Sequence, residues 1–142
     1  MEGEASQIAL MLASIGREIS KSDNPLARPA SIVVGGETTV TVTGKGKGGR
    51  NQELALAAAL KICDVENIVI ASFSTDGVDG PTDAAGAIAD SRTISRAGDM
   101  SRNAESFLHE NDSYHFFSRI NDLILTGQTG TNVNDVTIII VV

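Results

Sequence analysis

Residues 38–63 read TTVTVTGKGKGGRNQELALAAALKIC and combine three kinds of local sequence. The alternating threonines and valines at the start favour a β-strand, because β-branched side chains pack well on a pleated surface. Four glycines among residues 44–49 interrupt that strand. Residues 51–63 are rich in alanine and leucine, which predicts a largely buried helix. The stretch therefore predicts a strand, a glycine-rich loop and a helix in direct succession.

A further helix is predicted near the start of the chain, over residues 4–20. Apolar side chains recur there every three or four residues, at Ile8, Leu12, Ile15 and Ile19. The following SDNPLARP contains two prolines and must end the helix. Residues 1–29 are thus predicted to form an N-terminal helix and a connecting segment.

Three more stretches predict strands. ASIVVGGE (30–37) is expected to pair with 38–44 through a tight connection at its two glycines. NIVIASFS (67–74) predicts a central strand covered on both faces, and VTIIIVV (136–142) predicts the last strand. Two or three short helices are predicted between 91 and 120. This order predicts an α/β fold, specifically a layered α/β/α domain with a mixed, mostly parallel sheet.

The composition limits the kinds of partner. A length of 142 residues suits one domain, and a formal net charge of -7 argues against a general nucleic-acid or anionic-membrane binder. The single cysteine, Cys63, excludes an internal disulfide and is typical of a reducing compartment. The first twenty residues lack the features of a signal peptide or a membrane span. A cytoplasmic protein is therefore predicted.

The glycine-rich loop formally matches the dinucleotide motif G-x-G-x-x-G at Gly44, Gly46 and Gly49, with Asp64 twenty residues after Gly44. In that motif the acidic residue ends the second strand, whereas Asp64 precedes the predicted strand 67–74. A dinucleotide site is therefore disfavoured. The loop can still bring its backbone close to a ligand, and Arg50 can bind a carboxylate or phosphate bidentately. A solvated, mobile turn is the alternative.

Two other polar loops contain candidate ligand-binding groups. Residues 75–90, TDGVDGPTDAAGAIAD, are predicted to form a loop after the buried strand 67–74. Asp76, Asp79 and Asp83 lie in it, where carboxylates suit Mg²⁺ held together with substrate phosphates. Threonines and asparagines of 126–135 can bind oxyanions through hydroxyls and amides. Structural turns explain both loops equally well. Because ligands of open α/β sheets bind beyond the carboxyl ends of strands, these two loops and the glycine-rich loop are predicted to converge.

Three segments occur in the order found in one known family. They read GGETTVTVTGKGKGGRNQELALAAAL, STDGVDGPTDAAGAIAD and NDSYHFFSRINDLILTGQTGTNVNDVTIIIV. Over about residues 30–142 the chain resembles the MOFRL domain, the carboxyl-terminal domain of the glycerate 2-kinase family. Gln128 stands where relatives usually have proline. In that family the site lies between two α/β domains, so the resemblance implies that the amino-terminal, Rossmann-like domain is absent from this chain.

The resemblance implies a phosphoryl-transfer activity. In this family the γ-phosphoryl group of ATP passes to D-glycerate with Mg²⁺, giving 2-phosphoglycerate, and this chain is expected to be inactive without its amino-terminal domain. A homo-oligomer is a further expectation. The alternatives are a stand-alone, non-catalytic binding or assembly module and an NAD(P)-dependent hydroxypyruvate reductase, the name given to some relatives.

The resemblance, together with the chemistry of the loops, also suggests roles for individual residues. Arg50 is predicted to contact the glycerate carboxylate or the moving phosphoryl group. Asp76 and Asp79 are predicted to be catalytic, as Mg²⁺ ligands or as the acceptor of the substrate hydroxyl proton. The residues predicted to contact substrate or nucleotide are Gly44, Gly46, Gly49, Asn51, Gln52, Glu53, Thr82, Asp83, Thr129, Gly130, Thr131, Asn132 and Asn134.

Overall fold

Helices and strands alternate along the first half of the chain. The computed structural model describes the backbone of residues 1–142 and the side chains of 1–99 and 103–142. The strands are β1 (Glu2–Glu4), β2 (Ala30–Thr39), β3 (Ile68–Ser74), β4 (Gly86–Asp90), β5 (Leu123–Ile124) and β6 (Asp135–Val141). The helices are α1 (Ala5–Ser22), α2 (Arg50–Ile62), α3 (Thr93–Arg96), α4 (Ala104–His109) and α5 (Ser113–Ile120), with a 3₁₀ helix at Gly98–Asn103. In the described part of the chain, no helix is both long enough and apolar enough to cross a membrane.

The six strands form one mixed sheet in the order β1-β2-β6-β3-β4-β5. Only β1 and β2 pair in parallel; the other four pairings are antiparallel. The α/β class and the mixed sheet are confirmed, and the mostly parallel arrangement is wrong. The reason is that β2 and β3, which run in parallel and are joined through α2, are not neighbours. The last strand, β6, lies between them and runs antiparallel to both.

All helices that contribute to the core pack on one face of the sheet. α1 and α2 contact each other and bury Ile68, Ile70 and Ile139 beneath them. On the same face Phe116 and Phe117 cover the alanines of β4. The opposite face carries apolar side chains that remain partly exposed, among them Val33, Val69, Ile88 and Ile140. A second helical layer, expected from the three-layer prediction, is absent among the described residues, and β3 is not covered on both faces.

Two local predictions differ from the structure. The expected strand pair at 30–44 is one strand, because Gly35 and Gly36 continue the ladder with β6 and do not form a turn. A side chain at Gly36 would place its Cβ 2.1 Å from the carbonyl oxygen of Met1, so close backbone approach explains this glycine. The segment 86–90 was expected to lie in a loop, and it pairs with β3 as β4. The predicted helix 51–63 and the strands at 67–74 and 136–142 are confirmed.

The amino-terminal helix belongs to the main core. Ala5, Ala9, Leu12, Ala13 and Ile19 are buried in the same cluster as the strand residues. Helix α1 is therefore an integral part of the core. The predicted division of the chain at residue 29 stays a prediction.

Truncating Leu12 tests this packing. Leu12 is 2% exposed, and Leu10, on the other side of α1, is 40% exposed. We expect Leu12→Ala to lower the free energy of unfolding by about 2–5 kcal/mol, because a buried leucine leaves a cavity. The matched change Leu10→Ala should cost less than about 1 kcal/mol. Urea denaturation measures both, and equal costs would show that α1 is not part of the cooperative core.

Candidate functional site

The three polar loops lie together at one edge of the sheet, as predicted. β2 and β3 end at this edge, and β6 begins there because it runs antiparallel to both. The backbone N–H of Thr75 donates to Asn134 O (3.1 Å), and that of Thr129 donates to Asp76 O (3.1 Å). The loop after β3 is thereby joined to the loop before β6.

The carboxylate of Asp79 joins the loop after β3 to the start of α2. It accepts hydrogen bonds from the backbone N–H groups of Asn51 (3.1 Å) and Gln52 (2.9 Å). It also accepts bonds from the side-chain amides of the same two residues. Asp79 is 1% exposed, and this burial raises the pKa of its carboxyl although the four hydrogen bonds oppose the rise. Asp79 therefore caps the helix from a distant loop, which the geometry favours over the predicted role as a Mg²⁺ ligand.

Three residues predicted to contact ligand are buried within the protein. Asn51, Gln52 and Thr82 are 1%, 0% and 8% exposed. Ser72 Oγ donates to Asn51 Oδ1 (2.7 Å), and Gln52 Nε2 donates to Thr82 Oγ1 (3.0 Å). These side chains hold α2 against the sheet and the loop after β3, so they position the site without facing its surface.

The glycine-rich loop uses most of its backbone donors on the turn between α4 and α5. Asn111 Oδ1 accepts the N–H groups of Thr43 (2.8 Å) and Gly44 (2.9 Å). Farther along, Gly46 N–H donates to Glu110 O (2.8 Å) and Lys47 N–H donates to Asp112 Oδ1 (2.9 Å). These backbone donors of residues 43–47 are thus used within the protein, so this part of the loop is anchored and is not a mobile turn. The predicted ligand contacts of Gly44 and Gly46 stay predictions, and Gly46 lines a cavity.

The glycines are required by this contact. A Cβ at Gly44 would lie 2.2 Å from Glu110 O, and one at Gly46 would lie 2.3 Å from Asp112 Cβ. A Cβ at Gly49 would lie 2.3 Å from Asp79 Cγ. The next three backbone N–H groups have no described hydrogen bond, unlike those of 43–47. They belong to Gly48, Gly49 and Arg50. They are the part of the loop that remains for a ligand at the positive end of α2.

Arg50, the first residue of α2, is held by two carboxylates. Its Nε and Nη2 donate to Asp135 (2.6 and 3.0 Å), which is fully buried, and the pKa of Arg50 is raised by this pairing. Its Nη1 lies 3.1 Å from Oε1 of Glu37, whose side chain is 53% exposed. The buried partner fixes the guanidinium, and the exposed partner can be displaced by an anionic ligand.

Asp76 is half-buried on the loop after β3. One oxygen accepts from Ser74 Oγ and Val78 N–H, both at 2.9 Å, and the other has only a 3.4 Å contact with Asn132 Nδ2. The bond from Val78 N–H is the main reason that the pKa of Asp76 is lowered. Asp76 is therefore ionised at neutral pH and retains one oxygen for a ligand. With Gly130, Thr131 and Asn132 it lines a shallow cavity of about 280 Å³.

The other predicted residues of the second and third loops have internal partners. Thr129 Oγ1 donates to Thr75 O (2.5 Å), and the carbonyl oxygen of Asn134 accepts from Thr75. Asp83 accepts a hydrogen bond from Tyr114 (2.6 Å), whose ring lies under Lys47 Nζ. These contacts shape the loops. Within the exposed segment 126–134, it is Gly130, Thr131 and Asn132 that line the cavity beside Asp76.

Glu53 is a nearly buried carboxylate, only 5% exposed. Its Oε2 accepts from Asn111 Nδ2 (3.0 Å), and burial raises its pKa. Together with Gly48, Gly49 and Arg50 it lines the larger cavity of this edge, about 530 Å³ in volume. Sequence reasoning missed Asn111, which contacts both Glu53 and the glycine-rich loop. Asparagine is common in turns, and Asn111 has the positive φ, 54°, that such turns favour. Its sequence position therefore gave no sign of these contacts.

Asp64 does not take part in the site. It forms an ion pair with Arg17 of α1, beyond the carboxyl end of α2. The acidic residue that a dinucleotide fingerprint needs beside the glycines is therefore at the other end of the helix.

The sequence profile of the MOFRL family matches residues 30–135. The chain belongs to the MOFRL family. The chain spans about a third of the length of the relatives that it matches. It is 48% identical over 142 residues to a glycerate 2-kinase of Pyrococcus horikoshii, and the match covers 99% of this chain and 32% of that protein. The crystal structure of a glycerate kinase from Thermotoga maritima superposes with a TM-score of 0.97 and 45% identity, covering 100% of this chain and 34% of that one. A putative hydroxypyruvate reductase of Agrobacterium vitis is 38% identical over 99% of this chain and 33% of that protein.

Substituting a glycine of the loop tests its close packing in this MOFRL chain. We expect Gly44→Ala to lower the free energy of unfolding by about 1–3 kcal/mol, because the new Cβ meets backbone atoms of Glu110. At Gly35 no atom lies within 4 Å of an added Cβ, so Gly35→Ala should change stability by less than about 1 kcal/mol. A tolerated Gly44→Ala, measured by urea denaturation, would contradict the anchored loop.

The raised pKa of Glu53 predicts a pH-dependent effect of Glu53→Gln. Burial favours the protonated acid, so wild-type Glu53 stabilises the fold most below its unfolded pKa, and this contribution is lost as the pH rises through the folded value. Glutamine does not ionise and can still accept from Asn111. The stability of Glu53→Gln relative to wild type should therefore increase as the pH rises above 4.5, the ordinary pKa of glutamate. A difference independent of pH would show that Glu53 ionises without cost.

Proposed function

We propose that this chain is the carboxyl-terminal part of a glycerate 2-kinase, which transfers the γ-phosphoryl group of ATP to D-glycerate to give 2-phosphoglycerate. The observation that carries the proposal is the placement of Arg50 and Asp76 on one edge of the sheet, close enough that the guanidinium contributes to lowering the pKa of the carboxyl. The proposal is also supported by 48% and 45% identity to two glycerate 2-kinases.

Arg50 suits a reaction in which charge moves among phosphate oxygens. Phosphoryl transfer needs positioning and stabilisation of that charge more than covalent chemistry from the protein. Asp135 holds the guanidinium in place, and Nη1 can exchange the exposed Glu37 for an oxygen of glycerate or of the transferring group. The N–H groups of Gly48 and Gly49 lie beside it at the start of α2.

Asp76 fits the role of a Mg²⁺ ligand better than Asp79 does. Mg²⁺ commonly binds one or two carboxylates together with substrate phosphates. Asp76 is ionised and has one oxygen without a close partner, whereas both oxygens of Asp79 accept hydrogen bonds. The cation, when bound, neutralises charge on the phosphate oxygens. Gly130, Thr131 and Asn132 would contact the same oxygens from the exposed loop.

The chain is expected to need the rest of the enzyme. A site on one exposed edge cannot exclude water, and its family members are about three times as long. The isolated chain should therefore give no turnover with ATP and D-glycerate.

A chimera tests the proposal directly. This chain replaces the matched third of the Thermotoga maritima D-glycerate 2-kinase, and ADP formation is followed with and without D-glycerate. We expect glycerate-dependent turnover, and a loss of roughly 100-fold to 1,000-fold in kcat for Arg50→Ala. Arg92→Ala, a change at an exposed arginine that lines none of the described site cavities, is the matched control. A folded chimera without glycerate-dependent ADP formation would disprove the proposal.

A hydride-transfer activity has less support. The name of the Agrobacterium vitis relative favours it. The glycine-rich loop, however, donates its N–H groups to residues 110–112, and Asp64 is paired with Arg17. We expect no quenching of NADH fluorescence by the chimera, and quenching would favour the reductase.

A further inference from the structure

The larger cavity of the site edge is formed entirely by this chain. It has a volume of about 530 Å³, within the range of small-molecule sites in proteins. Val40, Val42 and Pro81 supply apolar walls, and the backbone of Gly48 and Gly49 forms the side next to α2. Such a cavity accepts a flat, largely apolar group in contact with glycine backbone.

The polar groups of this cavity are mainly acceptors. Glu53 lines it with a carboxylate that is 5% exposed, and only its Oε2 has a described partner, Asn111. Glu37 lies at the same cavity. Carboxylate oxygens bind ligand hydroxyl or amino groups, and they repel phosphates and carboxylates.

Arg50 does not reverse this charge balance. Its guanidinium lines the cavity but is paired with Asp135 and Glu37. One cation against the carboxylates of Glu37, Glu53 and Asp135 leaves the region acidic. An anionic ligand such as glycerate is therefore disfavoured inside the cavity. A phosphate group can still lie at the rim of the cavity, beside Arg50.

One residue that lines the cavity has a buried hydroxyl without a described partner. Thr38 is 2% exposed, and its Oγ1 makes no described hydrogen bond. A buried, unpaired hydroxyl costs free energy. Threonine has more than one allowed χ1 position, so rotation can pair this hydroxyl with a ligand in the cavity.

We propose that this cavity receives the nucleoside of the phosphoryl donor, an inference that rests on the proposed kinase function. The base lies between the valines and Pro81, and its amino group or the ribose hydroxyls donate to Glu53. The phosphates leave past the N–H groups of Gly48 and Gly49 and past Arg50 toward Asp76. D-glycerate then binds outside the cavity, on the exposed side of Arg50.

The test compares a nucleoside with a phosphate chain that has no nucleoside. The ¹⁵N-labelled 142-residue chain is titrated with adenosine, ATP and tripolyphosphate while its amide resonances are followed by NMR. We expect adenosine to shift Val42, Gly48 and Gly49, with a dissociation constant below about 1 mM. Tripolyphosphate should shift Gly130 to Asn132 and leave Val42 unchanged.

Substitutions at Glu53 and Val42 test whether the cavity favours a nucleoside or an anion. Glu53→Gln should weaken adenosine binding by about tenfold, since a charged acceptor is replaced by a neutral one. A cavity built for anions would instead bind tripolyphosphate more tightly in this variant. Val42→Arg should weaken adenosine binding at least about tenfold by filling the cavity mouth. Val33→Arg is the control, since Val33 of β2 is 66% exposed against 74% for Val42 and does not line the cavity.

The same experiments separate this inference from the proposed function. The inference is wrong if adenosine at about 5 mM shifts none of these amides and does not compete with ATP in an active chimera. It is also wrong if tripolyphosphate shifts Val42 and Glu53→Gln strengthens that binding. Competition by adenosine, lost in Val42→Arg, supports it. If adenosine binds as described but the chimera does not phosphorylate D-glycerate, the kinase proposal fails and the nucleoside site stands.

Discussion

The buried carboxylate of Asp79 is the interaction on which the rest of the site depends. Four donors from Asn51 and Gln52 end on it, so the start of α2 and the loop after β3 cannot move independently. Arg50 is the residue next to this cap, and its direction follows from the fixed helix. Burying an acid is unfavourable in itself, as its raised pKa indicates. The helix start and its amide dipoles offset that cost.

The order of elements could be predicted wherever one pattern dominated. The alanine-rich α2 and the apolar strands β3 and β6 have long, clear patterns, and all three are confirmed. The pairing of β6 between β2 and β3 could not be predicted, because hydrophobicity specifies that a strand is buried and not which neighbours it has. For the same reason β4, a short alanine-containing strand beside glycines, looked like part of a loop.

The location of the candidate site could be predicted better than the contacts of its individual residues. Sequence placed the three polar loops at one edge, and the side chains of Arg50 and Asp76 are partly exposed there. It could not separate Asn51 and Gln52 from ligand-binding residues, since an amide at a helix start looks the same whether it faces a substrate or a capping aspartate. A glycine likewise indicates that another group lies close to the backbone, but the sequence does not show which group it is. At Gly44 and Gly46 it is the turn at 110–112.

The anchoring of residues 43–47 to that turn has a mechanical consequence. A loop with four backbone donors bonded to another part of the chain is restrained, because opening it breaks these four hydrogen bonds. Exposed residues 126–134 have fewer such restraints. That segment is therefore the part of this edge that is freer to move. The entropy of ordering the glycines of the anchored loop is lost during folding.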